Sequence, residues 1–435
     1  MVRTVPIADP GDLVGCLPDP AALAWIHRGA GLVGWGEAAR VTLPAGEDRF
    51  TAGEKWLRAL FDGASIDDQV GLPGCGPVAF GSFTFDPTSD GSVLVVPQAV
   101  IGRRSGRAWL TTIGGAPASP GPTRPVTGPA EVRWHDGSLT APQWERAVGA
   151  AVARIQAGGL RKVVLARDLH AAASVAVDER LLLSRLAARY PDCYTFACAG
   201  LVGATPELLI RRHGRQVSSL VLAGTMPRSR DPAEDAALGA TLLASAKDAE
   251  EHEYAAAGVR DALAPLCDLL TVEEHRYAVA DVRKALAPFC DRLDIDAEPS
   301  LLRLANVQHL ATHVTGRLAA MRAAGSGGVL SEHASALQLA AALHPTAAVC
   351  GTPVEAAMEL IRELEGMDRG RYAGPVGWLD TRGNGEWGIA LRCAEVAGSR
   401  ARLFAGCGIV AGSDPAAELA EAQTKFRPAQ SALEG

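Results

Sequence analysis

Several chemistries are missing from this chain of 435 residues. Aromatic side chains make up 5% of it and the formal charge is −7, from 42 basic and 49 acidic residues. It has neither the cationic surface nor the stacking platform that nucleic acids require. No apolar run approaches the length of a bilayer span, which argues against a membrane-embedded chain. The nine cysteines, at 16, 75, 193, 198, 267, 290, 350, 393 and 407, are odd in number, scattered and without a C-x-x-C pair. Reduced thiols fit this better than disulfides or structural zinc. The opening residues MVRTVPIADPGDLVGC hold no apolar stretch long enough for a signal core, and cytoplasmic residence is the resulting expectation. G-x-x-x-x-G-K-[ST], a dinucleotide fingerprint after a strand, and G-x-S-x-G are all absent. The machinery of nucleotide binding and of serine hydrolysis is absent with them.

What the chain has is apolar bulk, 48% of its residues, and a change of pattern along its length. Residues 1–135 read as short strands between Gly, Pro and Asp turns, clearest in AALAWIHRGAGLVGWG and VAFGSFTFDPTSDGSVLVVPQAVI. APASPGPTRPVTGPAEV is too polar and too interrupted for an element and reads as an exposed loop. The patterning predicts a helix over 143–156, a strand over 162–167, a helix over 177–189, a strand over 192–199 and a hairpin through 208–210 and 217–222. Helices over 232–245 and 247–265 follow, with further helical or mixed sequence to Gly316. Strands at 371–379, 386–396 and 400–410 lead into a last acidic helix. Strand-rich and helix-rich stretches interleave in this way when helices cover the outside of a pair of sheets.

The last quarter concentrates the chemistry. In DPAAELAEAQTK, residues 414–425, helical spacing puts Glu418, Glu421 and Lys425 on one face. The glycines of FAGCGI let backbone N–H groups approach a ligand closely. Two carboxylates and an ammonium beside Gly406 and Gly408 suggest a seat for a divalent cation and an anion. Lys162 opens an apolar strand, where a desolvated ammonium gives up its proton readily and can serve as a general base; taken alone, a strand-end lysine snorkelling to water is the commoner reading. Glu207, in TPE before a strand, is either a general acid in an apolar mouth or a turn glutamate in water. Arg392 interrupts the apolar strand IALRCA and needs a ligand carboxylate held bidentately or a protein acid. Asp248 and Glu251 stand one turn apart in AKDAEEHEY. That run is a solvated face by default, but magnesium takes one or two carboxylates with substrate oxygens and water, and a second acidic helix supplies the other half. Gly224-Thr225 offers donors to a ligand or is only a turn. His309 and His344 read as hydrogen-bonding core residues, neither with metal-ligand spacing.

Taken together, KVVLAR (162–167), GATPELLIRR (203–212), LAGTMPR (222–228), LLASAKDAEEHEY (242–254), VQHLATHVTG (307–316), LHPTAAVCGTP (343–353), GPVGW (374–378), GNGEW (383–387), IALRC (389–393), RLFAGCGIVAGSDP (402–415) and ELAEAQTK (418–425) resemble the chorismate-utilising enzymes, and among them the isochorismate synthases. The likeness is continuous from about 140 to the end, and FDPTSDGSVLVVPQ echoes the family's weaker first part. It implies an α+β fold of two large packed antiparallel β-sheets with helices outside. Residues 1–435 would form one domain, β-rich over 1–135, with 140–430 carrying the active site.

The resemblance also assigns roles. Lys162 is the base that activates water, and Glu207 the acid that protonates a departing hydroxyl. Water adds at ring C2 of chorismate while the C4 hydroxyl leaves and the double bond shifts. Mg2+ is the implied cofactor, held by Glu251 and Glu421 with Glu418 and Asp248 in support, gripping the ring carboxylate with Lys425 and the Gly224 region. Arg392, Tyr372 and the amides around Gly406 and Gly408 hold the enolpyruvyl carboxylate, and Thr225, His309 and Ala348 complete the substrate wall. Lys162 speaks against the aminating relatives, which use ammonia. Ala348 stands where salicylate synthases carry Thr, and GNGEW is similar to the isochorismate synthases; Tyr372 departs towards the salicylate type, since some isochorismate synthases have Phe there. The expected partner is the small molecule chorismate alone, without nucleic acid or membrane, bound by a monomer.

Overall fold

The helices expected over 143–156 and 177–189 form as Ala141–Gln156 and Glu179–Arg189. Thr140 and Gln143 form a capping box at the head of the Ala141–Gln156 helix, satisfying backbone donors that a helix start leaves open. That helix buries Trp144, Val148, Ala151 and Ile155 along one stripe. Asp178 caps Glu179–Arg189 by accepting from Arg180 N. Asp414 accepts from Ala417 N at 2.9 Å, and Pro415 fills the first turn of the Pro415–Glu434 helix.

The computed structural model describes residues 1–115, 125–263, 300–305, 307–318 and 333–435, with 266, 271–272 and 293–295 besides. Its strands form two sheets, of thirteen and eleven strands among the described residues. Pairing is antiparallel except where Val2–Ile7 meets Ile66–Asp68 and Thr271–Val272 meets Leu293–Ile295. Strands from the two ends of the chain alternate in both sheets. Leu23–His27 pairs with Tyr194–Cys198 in the larger, and Val78–Ser82 with Pro375–Asp380 in the smaller. The sheets meet through Trp25 of the larger, whose indole donates to Glu386 of the smaller at 2.9 Å. Gly388 makes room for that ring: a Cβ there would lie 2.8 Å from it. Phe80, Phe196 and Trp378 fill the same layer and are buried, each large apolar side chain contributing roughly 2–3 kcal/mol by leaving water. The Pro415–Glu434 helix covers the outside of the larger sheet beside Ala141–Gln156 and Glu179–Arg189. The result is the α+β fold of two packed antiparallel sheets. Among the described residues no helix is long and apolar enough to cross a membrane.

Local expectations give way at four places. A helix, Arg49–Phe61, lies within the strand-rich first section. The stretch before Gly316 includes two strands, Ser300–Arg303 and Val307–Arg317, because the second fills a slot beside Gln216–Pro227 and is buried along most of its length. The expected strand 371–379 begins only at Pro375, leaving Tyr372 and Ala373 in the turn before it. The expected strand 386–396 is two: Gly385–Ile389 in the smaller sheet and Cys393–Ala397 in the larger. Arg392 therefore does not interrupt a strand; it sits in the crossing between sheets with φ of +50°, a region costly for any residue with a Cβ. The Pro/Gly-rich loop, over 116–124, and most of 264–299 lie outside the described residues.

Candidate active site

A cleft opens where the two sheets part, with about 750 Å³ of space in it, part of which is open to solvent. One wall comes from Lys162–Ala173 and its neighbour Arg400–Ile409, whose register sets Val164 opposite Gly408 and Ala166 opposite Gly406. Val164, Gly406 and Gly408 line the cavity. Because alternate residues share a face of a strand, Lys162 belongs to the same side as Val164. It is fully buried and lies just behind the lining rather than in it.

Glu207 faces this wall from the turn between Leu201–Thr205 and Leu208–His213. Its own N–H donates to Thr205 Oγ1 at 3.2 Å, which fixes the turn. Burial pushes its carboxyl up to about 8; the charge of Lys162 is the largest effect opposing that, followed by a backbone bond from Leu222 and the charges of Arg392 and Lys425. Glu207 is consequently protonated at neutral pH, the state in which a carboxyl can act as an acid.

Opposite, the Gln216–Pro227 strand breaks register against Val307–Arg317 between Ala223 and Met226. The bulge puts Gly224 at φ of +67° and brings Gly224 and Thr225 into the lining. His309 lines the cavity and bonds through Nδ1 to Gly224 O at 2.8 Å, with Thr225 Oγ1 3.4 Å away. Its Nε2 is 2.6 Å from Arg392 Nη2. Arg392 Nη1 is buried and has no hydrogen-bond partner among the described residues. Nor does any described carboxylate form an ion pair with Arg392, so the protein acid that the sequence left open is not found among the described residues. Burial lowers the Arg392 value from its ordinary one. An anionic ligand is the natural complement of such a group.

The acidic helix delivers Glu421 and Lys425 to the cavity. Lys425 Nζ lies 2.7 Å from Glu421 Oε1 and donates to Gly406 O at 3.0 Å. Glu418 is buried behind them, outside the lining, yet one ligand atom each from Cys407, Glu418 and Glu421 falls within 4.8 Å of the others. Two carboxylates this close, one of them buried, fit a hard divalent cation such as magnesium, for which a thiol is a poor donor. Asp248 packs against the bulge: a Cβ at Gly224 would lie 2.9 Å from its Oδ1. Glu251 belongs to the Ala246–Leu263 helix by its backbone, and its side chain lies outside the described residues.

Ala348 and Tyr372 also line the cavity, and Tyr372 stacks on Phe404 with ring centres 4.9 Å apart. Burial raises the phenol's value, so it stays neutral. Sequence reasoning missed Phe404 and Arg369. Arg369 reaches the lining but spends its donors on Glu365, Val349 O and Val164 O. Glu365 in turn accepts from Ala166 N at 2.7 Å. The Glu-to-Arg spacing of four in RELEGMDRGRY was the available signal.

Space for a small molecule, Arg392 and Lys425 in the lining and a neutral carboxyl within the field of a buried lysine define a site for acid–base chemistry on a small anion. The chain belongs to the chorismate binding enzymes, whose family model matches residues 124–274 and 269–434. Isochorismate synthase DhbC of Bacillus subtilis is 37% identical over 356 residues, covering 75% of this chain and 81% of its own. Isochorismate synthase MenF of the same organism is 32% identical over 419 residues, 88% and 80% of the two chains. The solved structure of the menaquinone-specific isochorismate synthase MenF from Escherichia coli covers 100% of this chain and 94% of its own with a TM-score of 0.75. At 24% identity that likeness bears on the fold alone.

Proposed function

We propose that this chain is an isochorismate synthase, converting chorismate to isochorismate. The observation that carries the reading is a buried Glu207 held protonated within the field of Lys162, in a cavity that Arg392 also lines. The names of the relatives support the same reaction. Lys162 removes a proton from water as its oxygen bonds to C2 of the ring. Glu207 gives its proton to the C4 hydroxyl, which departs as water while the ring double bond shifts. The amine ends protonated and the carboxyl ionised, and exchange with solvent restores both. The substrate thus requires protonation states opposite to those in free solution, and burial supplies the carboxyl's.

Arg392 and the backbone around Gly406 and Gly408 hold one carboxylate of the substrate. Glu421 and Glu418, with Asp248 and Glu251 of the Ala246–Leu263 helix, would hold Mg2+, which when bound would neutralise and orient the ring carboxylate. Tyr372 and Phe404 close the apolar side of the ring.

Pure protein incubated with chorismate and magnesium tests this. Isochorismate as the only product is expected, with turnover stopped by excess chelator. Salicylate with pyruvate would replace the reading with a lyase that shares the first step. Unchanged chorismate would leave a binding protein.

A further inference from the structure

We propose that His309 is a positioning residue that holds Arg392 from behind, and that it does not itself bind the substrate. The inference rests on the function proposed above only for the identity of the ligand. Gly224 O can only accept a hydrogen bond, so His309 Nδ1, 2.8 Å from it, carries the ring proton. Arg392 Nη2 can only donate, so Nε2, 2.6 Å from it, supplies the lone pair. Both ring nitrogens are therefore used inside the protein, although the ring lines the cavity. Burial, reinforced by the charge of Arg392, holds the ring well below the ordinary histidine range and hence neutral, as this pattern demands.

The connection joins two unusual pieces of backbone. Gly224 O is presented by the bulge at φ of +67°, and Arg392 stands in the crossing between the sheets at φ of +50°. A neutral ring on Val307–Arg317 thus ties the crossing to the smaller sheet. With Nη2 engaged and the Cys193 thiol also against the side chain, the guanidinium cannot turn freely in the cavity it lines, and Nη1 is buried and without a hydrogen-bond partner among the described residues. A donor fixed before binding spares the ordering cost that a mobile arginine would carry.

The test separates the two ring nitrogens. A glutamine at 309 places its carbonyl near the position of Nε2, whereas asparagine reaches only that of Nδ1. In His309→Gln the KM for chorismate should stay within about three-fold of wild type, and in His309→Asn it should rise by about ten-fold or more with kcat changed much less, as expected for losing one hydrogen bond to a charged group. In an Arg392→Lys background, Gln and Asn at 309 should become equivalent. Equal KM values for Gln and Asn with Arg392 in place, or an Asn penalty that persists in the Arg392→Lys background, would overturn the proposal. The hold is also read without substrate. Nitrogen-15 spectra of the arginine side chains should show separated Nη signals, assigned by their loss in Arg392→Lys, in wild type and His309→Gln, and averaged signals in His309→Asn. Averaged signals in the wild type would sink the positioning role whatever the reaction. Separated signals without isochorismate formation would sink the proposed function and leave the positioning role standing.

Discussion

Lys162 is the residue whose field acts most strongly on the carboxyl of Glu207, and burial outweighs it. Two groups that would ionise as a pair in water are held so that the acid keeps its proton. A neutral carboxyl in the cavity lining, with Lys162 buried behind the wall, leaves Glu207 able to give a proton to a bound group.

The pH profile follows from Glu207. Its acid form is present below about 8 and lost above it, so kcat/KM should fall as pH rises through that value. Glu207→Gln should lower kcat by about 100-fold or more, the usual contribution of a general acid. Stability moves with the same group. A carboxyl whose folded value is raised from 4.5 to about 8 adds stability that is whole below 4.5 and is lost as pH climbs to about 8. Melting temperatures measured from pH 6 to 9 should therefore decline more steeply for wild type than for Glu207→Gln.

Lys162→Met keeps the buried volume and removes the charge. Turnover should fall by about 100-fold or more, while chorismate binding measured by calorimetry survives. Since Lys162 lowers the Glu207 value, its removal should also raise it further. Infrared spectra would register this as a protonated carboxyl band, absent from Glu207→Gln, that persists to higher pH in the Met variant than in wild type.

The sequence was legible where local rules decide. The amphipathic pattern over 143–156 announced one helix and the run from Asp414 another, and Glu421 and Lys425 met one turn apart as helical spacing requires. It was illegible where long-range placement decides. IALRCA has the alternation of one strand, and nothing local says that the chain changes sheets at Arg392; that follows from Gly385–Ile389 pairing with Leu208–His213 while Cys393–Ala397 pairs with Leu201–Thr205. The hold of His309 on Arg392 spans 83 residues, and no spacing rule reaches that far. Cys407 beside Glu418 and Glu421 was hidden for the same reason: strand alternation sets it on the opposite face from Gly406 and Gly408.

Glu365 and Arg369 form a fully buried pair with contacts to Val164, Ala166 and Val349, the wall next to Lys162. Removing one partner strands the other's charge. Glu365→Gln should cost about 3–5 kcal/mol in urea unfolding. Replacing both by Met should cost less than the single change, because no unpaired charge remains.

Gly224 is where the bulge meets the helix of Asp248. An alanine there would carry φ of +67° and a Cβ 2.9 Å from Asp248 Oδ1. The left-handed backbone alone costs about 1–2 kcal/mol for a residue with a Cβ, and the contact pushes on the helix that carries Asp248 and Glu251. On the proposed magnesium site, Gly224→Ala should consequently raise the magnesium concentration for half-maximal turnover several-fold. Asp248→Ala removes Oδ1 and Cγ, two of the three close atoms, and leaves Cβ at 3.0 Å, without touching the backbone angle. The double variant should regain melting temperature relative to Gly224→Ala yet keep part of its defect, because the strained φ remains. A double variant no more stable than Gly224→Ala would assign the whole effect to the backbone and none to the helix.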